Sequence, residues 1–317
     1  MSAGSVSSAG SVVEERYSAA GTRGAAVAVT SLPKRQLGRY LRDWRTQAGL
    51  TIAQAARLME WGASTLQRLE KGQAERIRTI DIQELCRIYG IPDSFADGLI
   101  GLARQTAADS WWHAFDGGIP ASFDVYPGVE AAAEGLLIYQ PELVPGLMQA
   151  PDYLRALTRT HYADESEAER ERRVQQRIQR QALITRKNSP ARVHAVIGEA
   201  ALRRVVGGPK AMAAQLRHLA DLGTRDNISV QILPFTAGAP LGIGVGQFTV
   251  LDFGVDRAGR PVEPPLVHTA GLTGDLYLES PSDLRRYDHA HECLRRCALD
   301  VQQSRQQLRQ LAKEYLG

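Results

Sequence analysis

Apolar positions recur every three to four residues through the first third of the chain, and they predict five helices. Leu37, Leu41 and Trp44 share one face of a segment from Lys34 to Gln47, with Arg39, Arg42 and Arg45 between them, and Gly49 ends it. Thr51 is placed to cap a second helix, in which Ala55, Ala56 and Met59 form a face of small and flexible side chains. After a break at Glu60-Trp61-Gly62-Ala63, a short third helix runs from Ser64 to Lys71 and is stopped by Gly72. Its Leu66 and Leu69 turn inward, while Ser64, Thr65, Gln67, Arg68 and Lys71 face outward. Thr79 or Asp81 opens a fourth helix carrying Ile82, Leu85, Ile88 and Tyr89, closed by Gly90 and Pro92. A fifth starts near Asp93, with Phe95, Leu99, Leu102 and Ala103 inward.

Beyond Asp109 the pattern changes. Trp111-Trp112-His113 reads as a packed junction between domains, Glu130 to Leu137 as a helix, and Tyr139 to Gln149 as an irregular connector. A helix at Asp152 to Thr160 and a long charged one at Asp164 to Thr185 follow; the latter alternates in sign and reads as a solvated face. Short runs rich in Val, Ile and Phe predict strands at Val193 to Ile197, Ile228 to Leu233, Gln247 to Phe253 and Leu266 to Ala270, with a helix at Pro209 to Gly223. Leu284, Tyr287, His291, Leu294, Ala298, Val301, Arg305, Leu308, Ala312 and Tyr315 make a heptad-like seam along one final helix. Its last part, Asp300 to Leu316, is read either as a dimer or partner contact or as a frayed tail. The expected fold is an all-α N-terminal domain followed by an α+β domain with a small mixed sheet and a long C-terminal helix. The expected boundaries are a disordered tail at 1–33, a helical domain at 34–108, an α+β domain at 109–299 and a helical extension at 300–317.

Charge gives the helical domain a partner. The whole chain of 317 residues carries only +3. Between Lys34 and Arg78, however, ten basic side chains face four acidic ones, a net of +6, which leaves −3 for the remainder. A basic block in an otherwise slightly acidic protein points to a polyanion. A hydrophobic content of 44% is enough for a sizeable core and excludes a disordered chain. No apolar run reaches the length of a membrane span, and Met1 to Thr30 lacks the basic start and apolar block of a secretory signal. Cys86, Cys293 and Cys297 are too few for a disulfide framework, which fits a reducing compartment and a cytoplasmic location.

Two short helices joined by a tight turn, small residues on the first and polar ones on the second, make a helix-turn-helix whose second helix enters the major groove of DNA. Gly49-Leu50-Thr51, Ala56, Ser64-Thr65-Leu66 and Arg68-Leu69-Glu70-Lys71-Gly72 resemble the Xre/lambda-repressor family over about a fifth of the chain. The resemblance implies that Glu70 is structural and that Ala63, Ser64, Thr65, Gln67 and Arg68 meet base edges, with Lys71 nearer the phosphates. Arg39, Arg42, Lys71, Arg76 and Arg78 are the expected phosphate contacts. Three positions depart from the family: Ile52 replaces a polar residue, Glu60 stands where the turn usually has Gly, and Gly62 replaces a Ser cap. From Trp111 to Leu299, "YQPELVPGLMQAPDYLRAL", "ALRRVVGGP", "ILPFTAGAPLGIGVGQFTVLDF" and "DLYLESPSDLRRYDHAHECLRRCAL" resemble the domain of uncharacterised function that follows such a module in antitoxin-like regulators of high-GC filamentous bacteria. That resemblance implies a small protein partner encoded nearby.

No catalytic constellation emerges. Gly242-Ile243-Gly244-Val245-Gly246 lacks a following helix to present amides to a phosphate and reads as a hairpin loop. His289, Cys293 and Cys297 share a helix face but offer only three ligands from one element, so no metal is expected. Glu199 reads as a carboxylate at a helix start, and no GxSxG, HExxH, P-loop or CxxC is present. The sequence therefore reads as a non-enzymatic transcriptional regulator of duplex DNA, without cofactor, able to pair as a homodimer on a palindromic site. An antitoxin-like protein that neutralises a small neighbouring-gene product and autoregulates is the alternative, and a small-molecule-sensing regulator is a third.

Overall fold

The computed structural model describes residues 31–106, 125–272 and 274–317, and the chain divides into two compact units. Residues 1–30 of the expected tail at 1–33 and the Trp111-Trp112-His113 junction lie outside the described residues, whereas Leu32 and Pro33 belong to the first helix.

The first unit is helical: α1 (Leu32–Gln47), α2 (Ile52–Leu58), α3 (Ala63–Glu70), α4 (Thr79–Tyr89) and α5 (Asp93–Gln105). The first helix starts two residues before the expected Lys34, because Pro33 occupies its first turn and Leu32 is buried. Helix α1 packs against α3, α4 and α5, and Leu37, Leu41, Leu66, Leu69, Ile82, Leu85, Leu99 and Leu102 form the core. Thr51 and Gln54 make a reciprocal capping box on α2, and Gly90, at φ 68°, closes α4 in the left-handed conformation.

The second unit is an α+β layer. It contains α6 (Tyr126–Ala131), β1 (Gly135–Gln140), α7 (Pro151–His161), α8 (Glu167–Arg180), α9 (Ala182–Thr185), β2 (Arg192–Gly198), α10 (Glu199–Arg203), α11 (Pro209–Leu222) and β3 (Ile228–Leu233). Strands β4 (Phe248–Asp252), β5 (Leu266–Gly271) and β6 (Gly274–Leu278) and helices α12 (Pro281–Cys297) and α13 (Val301–Glu314) complete it. The six strands are ordered β3-β2-β1-β4-β5-β6, parallel from β3 to β1 and antiparallel from β1 to β6. The helical crossovers supply the length that parallel pairing requires. Helix α12 lies across β1 to β5.

Residues 135–137, read as the end of a helix, begin the central strand β1, and the helix before it ends at Ala131. Strand β1 is paired on both edges, and three of its four apolar residues, Leu136, Ile138 and Tyr139, are buried, so the period-two alternation that marks a half-exposed strand is missing. Strand β6 forms at Gly274–Leu278, where the sequence pattern predicts no strand. The Asp164 to Thr185 helix starts only after the Ser166 cap and passes into a separate turn of helix, α9, after Gln181. The glycine segment 242–246 is not a hairpin loop, because the strands flanking it are separated by β2 and β1 in the sheet.

Ala298 is extended, at ψ 157°, so the expected continuous helix is two helices with a joint between them. The joint covers the outer edge of β3. Leu299 N donates to Ile232 O at 2.9 Å, Ile232 N donates to Ser304 Oγ at 3.0 Å, and Gln231 Nε2 donates to Leu299 O at 2.8 Å. An edge strand's free amides and carbonyls are thereby paired. Helix α13 then packs on α11 and β3 with Leu308, Leu311 and Ala312 buried, so the apolar half of the seam is consumed inside the unit and the segment is an ordered helix, not a frayed tail. Among the described residues no helix is long and apolar enough to cross a membrane.

Candidate nucleic-acid interface

Helix α3 is held from behind by one ion pair. Arg45, on α1, donates from Nε to Glu70 Oε1 at 2.6 Å and from its terminal nitrogen to Oε2 at 3.0 Å, and a third bond reaches Leu50 O at 2.7 Å. Glu70 is 3% exposed. A bidentate guanidinium–carboxylate pair fixes orientation as well as distance. The hydrogen bond to Glu70 raises the Arg45 pKa further, against the opposing effect of burial, so the guanidinium stays charged. Arg42 adds a bond to Glu70 O at 2.9 Å. The helices can approach this closely because position 38 lacks a side chain: a Cβ there would stand 2.6 Å from the carbonyl oxygens of Leu69 and Glu70.

With its rear face anchored, α3 turns its other side outward. Ala63, Ser64, Thr65, Gln67 and Arg68 are all exposed, whereas Leu66 and Leu69 are buried. The turn before it runs through Glu60, whose φ of 54° places a non-glycine residue in the left-handed region, and Trp61 N closes the turn on Ala56 O at 2.8 Å.

The basic residues divide into two groups. Lys71, Arg76 and Arg78 are exposed, and Trp61, Thr65, Arg76 and Arg78 border one shallow depression beside α3. Arg78 also pairs with Asp81 at 3.0 Å, an exposed contact of little strength. Arg42 remains half exposed while serving Glu70. Arg39 differs from the others. Its terminal guanidinium nitrogens are buried, which removes it from the surface where it was expected to meet phosphates. The residues missed in the sequence are those behind the helix. Arg45 looked like one more member of the basic stripe, and only its helical offset from Leu41 hinted that it faces the core.

The other candidates resolve simply. His289 Nε2 lies 3.5 Å from Cys293 Sγ, Cys297 is exposed, and among the described residues no group of three potential ligands converges. Cys86 is buried, and burial pushes its thiol up to about 11. Glu199 opens α10, accepts from Phe235 N at 2.9 Å and pairs with Arg203 at 2.7 Å. Burial alone would raise its pKa, but those bonds outweigh it and the carboxyl is held low.

Residues 36–96 match the family model of a helix-turn-helix domain, which supports a DNA-binding regulator. No curated protein matches the chain. Residues 123–310 match a second family model, the domain of unknown function DUF5753. That second match spans more than half of the 317 residues, and the chain accordingly belongs to the DUF5753 family, with its helix-turn-helix domain preceding that region.

Proposed function

We propose that this protein is a sequence-specific regulator that reads duplex DNA with α3 in the major groove, as in the Xre type of helix-turn-helix. The observation that carries the reading is the clean division of α3: a polar exposed row of Ser64, Thr65, Gln67 and Arg68 on one side, and the buried Arg45–Glu70 pair on the other. Pre-orientation of that row lowers the ordering cost of binding. Gln67 and Arg68 carry the capacity for bidentate base contacts, and Ala63 supplies a methyl surface. Arg42, Lys71, Arg76 and Arg78 neutralise phosphates, and Arg39 is left out because its guanidinium is buried.

Titration of DNA from the region upstream of the protein's own gene, over a range of salt concentrations, tests this. Replacing Arg76 or Arg78 by Ala is expected to weaken all sequences alike and to lower the salt slope by about 1, whereas replacing Gln67 or Arg68 changes sequence preference. Unchanged binding in all four variants would overturn the proposal.

A further inference from the structure

A concave pocket of about 300 Å³ lies in the second unit, where the parallel half of the sheet meets the antiparallel half. Its walls come from α6, the C-terminal end of β1, the 143–149 connector, α8, and β4 to β6. Its size falls in the range of small-molecule sites, and a strand's C-terminal end at a change of sheet direction is a common place for one.

The pocket's charges are unevenly satisfied. Glu130 is already held by Arg180 through two bonds of 3.0 and 2.7 Å, and Asp275 Oδ2 lies 2.9 Å from His268 Nε2. Half-buried Arg177 makes no ion pair or hydrogen bond among the described residues. Glu130 is therefore neutralised by Arg180, Asp275 has only a histidine beside it, and Arg177 is a cation without a partner that is open to an anion. Gln149 gives a second, independent sign. It is 5% exposed, its Nε2 donates to Val144 O at 2.9 Å, and its Oε1 is buried with no hydrogen-bond partner. A buried acceptor left unsatisfied costs free energy that a ligand's N–H or O–H recovers. The lining also carries apolar side chains, Val144, Leu147 and Phe248, beside the polar Gln140, Gln247 and Thr249, and the stacked rings of Tyr126 and His268, 4.0 Å apart, belong to it.

We propose that this pocket binds a small organic anion with an aromatic or other apolar body, its charged group at Arg177 and a donor group at Gln149. The assignment stands apart from the DNA reading, and its test contains no DNA. The probes are 8-anilinonaphthalene-1-sulfonate and its uncharged counterpart N-phenyl-1-naphthylamine, titrated by fluorescence into the full-length protein. The sulfonate is expected to bind saturably, one per chain. Arg177→Gln should weaken it at least tenfold and leave the neutral dye unchanged. Gly146→Phe should weaken both at least tenfold: Gly146 lines the pocket, and a Cβ there meets nothing within 4 Å, so the ring enters open space without moving the backbone. Thermal melting checks that both variants fold, and if Gly146→Phe does not, the Arg177→Gln pair of titrations decides alone. The absence of saturable sulfonate binding, binding indifferent to Arg177→Gln, or equal weakening of the two dyes by Arg177→Gln overturns the proposal.

Discussion

At Glu60 the backbone turns through φ 54°, a conformation that costs an L-residue about 1 kcal/mol and glycine almost nothing. Glu60→Gly is therefore expected to raise the stability of the helical unit by about 1 kcal/mol in urea unfolding, less whatever the unfolded chain gains in freedom. Ten residues on, the opposite sensitivity holds. Arg45 is kept charged by Glu70, and Glu70→Gln removes the balancing charge from a buried guanidinium. Breaking one side of such a pair costs about 3 kcal/mol or more, and the same measurement should show that loss. A variant in which both positions carry apolar residues of similar size should recover most of it, because the cost lies in leaving one charge alone. Glu60 was marked in the sequence as a strained position because a glycine is expected at that point of the turn. The partner of Glu70 was not, because a basic residue on a helix reads the same whether it faces water or a carboxylate.

The elements that were legible are those whose two faces differ. Helices α1 to α5 alternate apolar and polar sides, and strands β2 to β5 are bounded by clear turn residues, so both could be placed from spacing alone. Strand β1 has no exposed face to mark it, and Ala131 to Ala133 before it favour a helix; its identity is set by β2 and β4, which come far later in the chain. The joint after α12 was hidden for a related reason. The three- and four-residue spacing continues across Ala298, and what ends the helix is pairing with the edge of β3. Ser304→Ala should expose the dependence: Ile232 N–H loses its acceptor in a buried place, at about 1–3 kcal/mol by chemical unfolding. Helix α12 carries a second test. His291 is 3% exposed, and burial, opposed only in part by its bond to His194 O at 3.2 Å, pushes its pKa from 6.5 down to about 4. The unfolded chain then takes up the proton first, so this contribution is complete above pH 6.5 and is lost as pH falls toward 4, by about 3 kcal/mol. His218, also held low by burial, acts in the same direction. The drop in melting temperature between pH 7.5 and pH 4.5 should consequently be smaller in His291→Leu than in the wild type, though not abolished.

For the whole molecule, the small net charge conceals a division of labour. The basic block lies in the helical unit, whereas most arginines on and around α8 are occupied: Arg173 pairs with Glu165 at 2.6 Å, Arg180 with Glu130 at 2.7 Å and Arg155, on α7, with Glu171 at 3.1 Å, and Arg177 alone faces the pocket without a partner among the described residues. Replacing Arg172 or Arg173 by Ala is expected to leave both DNA affinity and its salt slope unchanged, in contrast to Arg76→Ala, and filter binding at two salt concentrations distinguishes the cases. The order of the sheet adds a consequence in time. Helices α1 to α5 pack on one another within residues 32–105, and a small all-helical unit of this kind folds quickly. Strand β1 must wait for β4, since Gly135 pairs with Asp252 more than a hundred residues later. On a chain made from its N-terminus, the helical unit is complete while the central strand of the sheet still lacks one neighbour. During each round of synthesis there is thus an interval in which the helix-turn-helix exists without a finished second unit, and any control exerted by that unit begins only when the interval ends.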